Sequence, residues 1–211
     1  MKHYLISFFI TVIVMWAVAG YCEITNERLS QLKTDATQGD AKAEFDLASL
    51  YFDGNGVKQD YDEFMKWLTL SADHGYADAQ NVLGFLYETG EIIKQDYEKS
   101  LKWYDRSSKQ GDPVGQFRLG FMHYEGRGIK QDYKKAMKLF ILAAEQDHAT
   151  AQLYLGLMYD RGQAVTEDHN QALYWYNMSC NNGCKEACLQ INIDKNAQKF
   201  VDDLINDIFG N

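Results

Sequence analysis

The residues that could do chemistry are few and scattered. Ser30-Gln31-Leu32-Lys33 has the Ser-x-x-Lys spacing that sets a lysine amine one helical turn from a serine hydroxyl, an arrangement that activates serine for attack on amide and lactam carbonyls. Its companions are missing: no Lys-Thr-Gly follows, Lys33-Thr34-Asp35 being only a near miss, and no Ser-Asp-Asn occurs. A four-residue pattern arises readily by chance on a polar helix, so this one reads as a solvated face and no catalytic residue is assigned. His74, His123, His148 and His169 share neither metal-binding nor triad spacing, and His74 and His148 fall at turns. Cys180, Cys184 and Cys188 cluster, but cysteines four apart with only His169 nearby do not match zinc spacing. No metal and no cofactor is therefore expected.

The rest of the sequence is organised for architecture. Shifting the chain by 36 residues superposes Leu47, Leu83, Leu119 and Leu155, then Gly54, Gly90, Gly126 and Gly162, then Asp60, Asp96, Asp132 and Asp168. Such a period means a stacked repeat. Within the first unit Ala43, Leu47, Leu50 and Tyr51 follow helical spacing, and after a loop Phe64, Trp67, Leu68, Ser71 and Ala72 repeat it, so each unit is a helix pair. The glycines close the first helices and the aspartates cap the second. Glu63 and Gln171, three residues after their aspartates, complete a capping box in units one and four. Small residues (Ala43, Ala79, Gly115, Ala151; Ala48, Gly84, Gly120, Gly156) stand where paired helices must approach closely, and Trp67, Trp103, Leu139 and Trp175 fill space between hairpins. The Gly-x-Gly segments precede a helix cap at every period, which makes them structural and not phosphate cradles. The recurring Lys58-Gln59-Asp60-Tyr61, Lys94-Gln95-Asp96-Tyr97 and Lys130-Gln131-Asp132-Tyr133 read as one duplicated capping loop.

The ends and the charge set further limits. A charged start at Lys2, an apolar stretch from Tyr4 to about Ala19 and small residues at Ala17, Ala19 and Gly20 are the marks of a secretory signal peptide over residues 1–22, cut between 19 and 23. The stretch is shorter than the roughly 20 residues of a membrane span, so no span is expected to remain after cleavage. Residues 23–40 align with a second helix and are expected to cap the first repeat. Residues 185–211 begin another first helix at Lys185 and end in Phe200, Val201, Leu204, Ile205 and Ile208, the stripe of a closing helix. With 30 acidic against 21 basic residues and a net charge of −9, the chain lacks the concentrated Lys and Arg that nucleic acid draws on. Nucleic acid is excluded as the expected partner.

The pattern Ala-x-Ala-x-x-x-Leu-Gly-x-x-Tyr, Gly-x-Gly-Val, Asp-x-x-x-Ala-x-x-Trp-Tyr resembles the Sel1-like repeat, a relative of the tetratricopeptide repeat, over units 41–76, 77–112, 113–148 and 149–184. Phe64, Ser100, Ile92, Ala164 and Leu139 depart from it as packing variants. The resemblance implies an all-α, right-handed solenoid of antiparallel helix pairs that binds a protein or peptide on the concave face lined by its first helices. Carried over by register, that face comprises Lys42, Phe45, Ser49, Phe52, Asp78, Asn81, Phe85, Glu88, Val114, Phe117, Phe121, Tyr124, Thr150, Leu153, Leu157 and Asp160, of which Phe45, Ser49, Phe52, Asn81, Phe85, Phe117, Phe121, Tyr124, Leu153 and Leu157 are the expected partner-binding residues. Packing between neighbouring first helices is the competing use of Phe85, Phe121 and Leu157. The cysteine spacing is similar to bridges in the cysteine-rich Sel1-like proteins of Helicobacter. Cys180 ends one helix and Cys188 opens the next across the Gly183 turn, so these two are the expected disulfide, with Cys184 left free or available to Cys22. The expected function is a non-enzymatic scaffold of the bacterial envelope, periplasmic or secreted. A β-lactam- or cell-wall-directed hydrolase, implied by penicillin-related activities described for that cysteine-rich group, and a host-directed virulence factor are the alternatives.

Overall fold

The structure, a computed structural model, describes residues 24–194 and 196; the leader, Cys22 and the closing stripe from Phe200 to Ile208 lie outside the described residues. It contains α1 (Asn26–Thr37), α2 (Ala41–Asp53), α3 (Tyr61–Asp73), α4 (Ala77–Thr89), α5 (Tyr97–Lys109), α6 (Pro113–Glu125), α7 (Tyr133–Ala144), α8 (Ala149–Asp160), α9 (His169–Asn181) and a further helix, α10, over residues 185–194. No strand occurs among the described residues. The result is an all-α solenoid of consecutive helix pairs, which divides at Leu83/Gly84 into two compact units.

Each hairpin is closed by the same three contacts, and three of the four hairpins share one more. The first helix ends at a glycine in the left-handed region, φ being 72° at Gly54 and at Gly126, where a side chain would be strained. The next aspartate accepts hydrogen bonds from first-turn amides: Asp60 from Asp62 and Glu63, Asp96 from Lys99, Asp132 from Lys135, Asp168 from Gln171. The aspartate's own amide donates back to the first helix, Asp60 to Tyr51 O, Asp96 to Tyr87 O, Asp132 to His123 O and Asp168 to Tyr159 O, at 2.8–3.0 Å. The glutamine just before three of these aspartates (Gln59, Gln95, Gln131) donates 2.7 Å bonds to the carbonyls of Phe52, Glu88 and Tyr124. The repeated Lys-Gln-Asp-Tyr segment is therefore architectural.

The capping box expected at Glu63 does not form. Its target, the Asp60 amide, is already taken by Tyr51 O, and the Glu63 carboxylate instead accepts from Lys66 and from the Trp67 indole nitrogen at 2.9 Å. The Asp168 amide is likewise committed to Tyr159 O, which removes the partner Gln171 would need.

Packing explains the small residues. A methyl built on Gly84 would stand 2.6 Å from the Tyr104 ring, and one on Gly120 2.9 Å from Phe140; Gly156 faces Tyr176 in the same way. Where Leu68 replaces the ring, Ala48 replaces the glycine. These four partners, Leu68, Tyr104, Phe140 and Tyr176, are among the most buried side chains, whereas the tryptophans one position earlier are only half-buried. The last turn of each first helix matches its partner: Glu88 accepts from Tyr104 (2.9 Å) and Asp160 from Tyr176 (2.7 Å), while Tyr124 lies beside Phe140. Burial and the adjacent carboxylate hold both phenols well above their ordinary titration range. In the first unit α1 packs Ala36 against Ala43 and Leu47, with Leu29, Leu32 and Trp67 around them. At the far end of the second, Ile191 joins Ala172 and Tyr176, and Ala187 is fully buried.

The expected Cys180–Cys188 disulfide is present, with Cα atoms 4.9 Å apart, and Cys184 is free. The bridge ties α10 to α9. Replacing Cys188 with serine should lower stability by about 2 to 3 kcal/mol in the chain-entropy picture, read as a shift of the urea midpoint, with reductant producing the same shift in the wild type and none in the variant. Ala164 holds φ 67° at the loop position that glycine occupies as Gly56 and Gly128. Ala164→Gly should raise stability by about 0.5 to 1 kcal/mol, the relief of a left-handed alanine exceeding glycine's extra chain entropy; an unchanged or lower melting point would contradict this.

Candidate partner-binding surface

The first helices present the residues expected to meet a partner, and the structure sorts them by burial. Phe45, Asn81, Phe117 and Tyr124 are buried. Phe45 lies 5.2 Å from Tyr76, and Phe117 is surrounded by Phe121, Phe140, His148 and Tyr154 at 4.8–6.0 Å. Phe117 and Tyr124 are sunk between α6 and α8, where Tyr154 meets both, and Phe45 is sunk against Tyr76, so these positions are closed over by neighbouring side chains and not open on the surface where register placed them. Ser49, Phe52, Phe85, Phe121, Leu153 and Leu157 stay half-buried. Ser49 bonds back to Phe45 O. Phe52 rests on Phe64 and Tyr61, and Leu153 and Leu157 lean on the cluster of Ala172, Tyr176 and Ile191.

In the second unit the two half-buried phenylalanines carry guanidinium groups, which register alone did not reveal. Arg118 lies over the Phe85 ring at 5.4 Å and Arg127 over Phe121 at 4.9 Å. Arg161 donates to the Tyr124 hydroxyl at 3.2 Å, and that hydroxyl donates to Gln163 at 3.0 Å. Tyr154 joins the group, its ring 5.4 Å from both Phe121 and Tyr124. Burial, with Glu125 nearby, pushes its phenol up against the opposing pull of Arg127 and Arg161. The sequence signal existed: the chain has five arginines, and Arg118, Arg127 and Arg161 fall on first helices or directly after them.

The other candidates for chemistry are placed apart. Ser30 and Lys33 both lie on the exposed side of α1 with no hydrogen bond between them. His148 caps α8, its Nδ1 accepting from the Ala151 amide, and burial lowers its pKa. His123 is buried with Nδ1 unpartnered among the described residues, and its pKa is lowered for the same reason. Among the described residues no group of three His, Cys, Asp or Glu side chains could hold a metal ion, and no helix is long and apolar enough to cross a membrane.

The model of the Sel1 repeat matches residues 41–76, 77–112, 113–148 and 149–184. The chain belongs to the Sel1 repeat family. Among solved structures it is similar to a protective antigen of uropathogenic Escherichia coli displaying an SLR fold, at 39% identity and a TM-score of 0.74 over 77% of this chain and 35% of that one. It is also similar to a Sel1 repeat protein of Oxalobacter formigenes, at 33% identity and a TM-score of 0.71 over 76% of this chain and 66% of that one. This Sel1 chain thus spans about a third of the first protein and just under two thirds of the second. Cysteine rich protein B of Helicobacter pylori matches as well, at 18% identity and a TM-score of 0.35 over 78% of this chain and 96% of that one. No match is found among curated proteins.

One ionic contact of the Sel1 array holds its imidazole above the ordinary histidine range. His169 lies between two carboxylates, Nδ1 at 3.2 Å from Asp160 on α8 and Nε2 at 2.8 Å from Asp194 on α10. The hydrogen bond to Asp160 is the main cause that raises its pKa, with Asp194 adding to it. A raised folded-state pKa contributes stability that is complete below the unfolded value of about 6.5 and is lost as pH rises through the folded value. His169→Gln should therefore lower the melting temperature at pH 5.5 and leave it nearly unchanged at pH 8.5; an equal loss at both would show that protonation plays no part.

Proposed function

We propose that this chain is an exported, non-enzymatic scaffold that docks a protein or peptide partner on the first-helix surface. The observation that carries this reading is the set of half-buried apolar side chains, Phe85, Phe121, Leu153 and Leu157, left on first helices whose other recurrent residues are accounted for by capping and packing. Side chains of this type, partly sunk and flanked by polar groups, anchor partner side chains in grooves. Export is supported by the leader pattern of residues 1–22 and by the disulfide, which persists in oxidising compartments. Ser30 is read as part of a solvated helix face, without a catalytic role.

A second reading is a partner outside the producing cell. It is favoured by the 39% identity to a protein described as a protective antigen.

Phe121 is the better probe of the surface than buried Phe117, where a charge would unfold the array. Crosslinking from the producing cells followed by mass spectrometry should recover one partner with the wild type and lose it with Phe121→Glu, provided the variant melts like the wild type. Equal recovery with both would overturn docking on this surface.

A further inference from the structure

The arginines of the second unit say something about the partner. In a chain of net charge −9 whose 21 basic residues include only five arginines, three of the five lie against first-helix rings of this unit, Arg118 on Phe85, Arg127 on Phe121 and Arg161 at the Tyr124 hydroxyl. One run of contacts passes from Arg127 on Phe121 through Tyr154 and Tyr124 to Arg161, while Arg118 lies on Phe85, whose ring packs in the separate cluster of Tyr104, Leu119 and Met122. In this unit the ion-paired lysines Lys99, Lys102 and Lys109 belong instead to the second helix α5, where each meets a carboxylate of its own helix or cap.

The three guanidinium groups are not equivalent. Arg127 is satisfied, bonding buried Glu88 at 2.8 Å. Arg118 and Arg161 pair with no carboxylate among the described residues; one rests on a ring and the other meets a neutral hydroxyl. Stacked guanidinium groups keep their hydrogen-bonding edge available and are weakly hydrated, which suits them to carboxylates in a partly dry surface. Exposed Glu125 is the one acidic side chain that acts on Tyr154 from this group.

The geometry points to an acidic peptide segment with aromatic or aliphatic anchors as the partner class, its carboxylates meeting Arg118 and Arg161 and its apolar side chains meeting Phe85, Phe121 and Leu157. This inference rests on the docking reading above and adds the chemistry of what docks. Charge complementarity decides the class. An anionic scaffold repels acidic chains in general, so an acidic partner is accepted only at this surface.

The test selects a phage-displayed library of random linear peptides against the full chain and measures binding of the recovered peptides in solution. Expected are peptides rich in Asp and Glu interspersed with Phe, Tyr or Leu, weakened by added salt, and binding the Arg118→Glu, Arg161→Glu double variant about tenfold less tightly, as for charge pairs at a partly desolvated contact. The Gln pair at the same positions should lose less than the Glu pair. Neither arginine holds a buried carboxylate, so both variants should melt near the wild type; Arg127 is left untouched because its loss would strand Glu88. Peptides lost with Phe121→Glu but without acidic enrichment, or bound equally by the double variant, would overturn the acidic class and leave docking in place. Recovery of no peptide sensitive to Phe121→Glu would overturn both. Tight binding of a single-stranded oligonucleotide, lost in the same double variant, would also overturn the peptide class.

Discussion

The amide of the capping aspartate, returned to a carbonyl of the preceding helix, is the contact on which the repeat depends. It joins the two helices of a hairpin through backbone alone, so it recurs whichever residue supplies the carbonyl: Tyr51, Tyr87, His123 or Tyr159. Once it is made, the aspartate carboxylate can serve only the first turn of the second helix, the glutamine beside it satisfies a carbonyl of the first, and the ring of the second helix is brought down on a glycine. Distance between helices is then set by that ring. Leu68 with Ala48 and Tyr104 with Gly84 are two solutions of the same volume constraint.

Buried polar groups follow a second periodic rule. Glu44, Gln80, Gln116 and Gln152 occupy one register position, and each reaches the end of a second helix: Glu44 meets His74, Gln80 bonds Ala72 O, Gln116 meets Gln146, and Gln152 bonds Ala144 O and Asn182. Gln80 and Gln152 thereby bond a last-turn carbonyl of the preceding second helix, while Glu44, Gln116 and Gln152 meet a side chain just past the second helix of their own hairpin. A buried carboxylate at this position comes with a histidine, and a glutamine comes with an amide or a carbonyl, so chemistry varies while the contact persists.

Much of this was legible in the sequence, because repetition turns a weak local signal into a strong one. Gly54 and Asp60 mean little alone, but four copies at one spacing fix both helix ends and the hairpin. The tie between Cys180 and Cys188 was legible for the same reason, since the helix boundaries placed both cysteines beside one turn. What was not legible depended on which groups compete for one partner. Glu63 looked free to cap, and only the fold shows that the amide it would use is occupied. Phe117 and Phe121 stand four residues apart on one helix, yet the approach of α8 buries the first and spares the second. The pairing of Glu88 with Tyr104 and of Asp160 with Tyr176 could have been found by comparing columns of the repeat, since a carboxylate recurs only where the partner carries a hydroxyl.

The bridge between α9 and α10 also bears on where the array comes apart. Repeats that hold only their neighbours loosen from their ends, because an end helix has one partner to lose where an inner helix has two. Covalent closure of the α9–α10 hairpin removes that route at this point, since neither helix can leave the other while Cys180 and Cys188 stay joined. The staple thus makes one of several near-identical hairpins answer to the redox state of its surroundings.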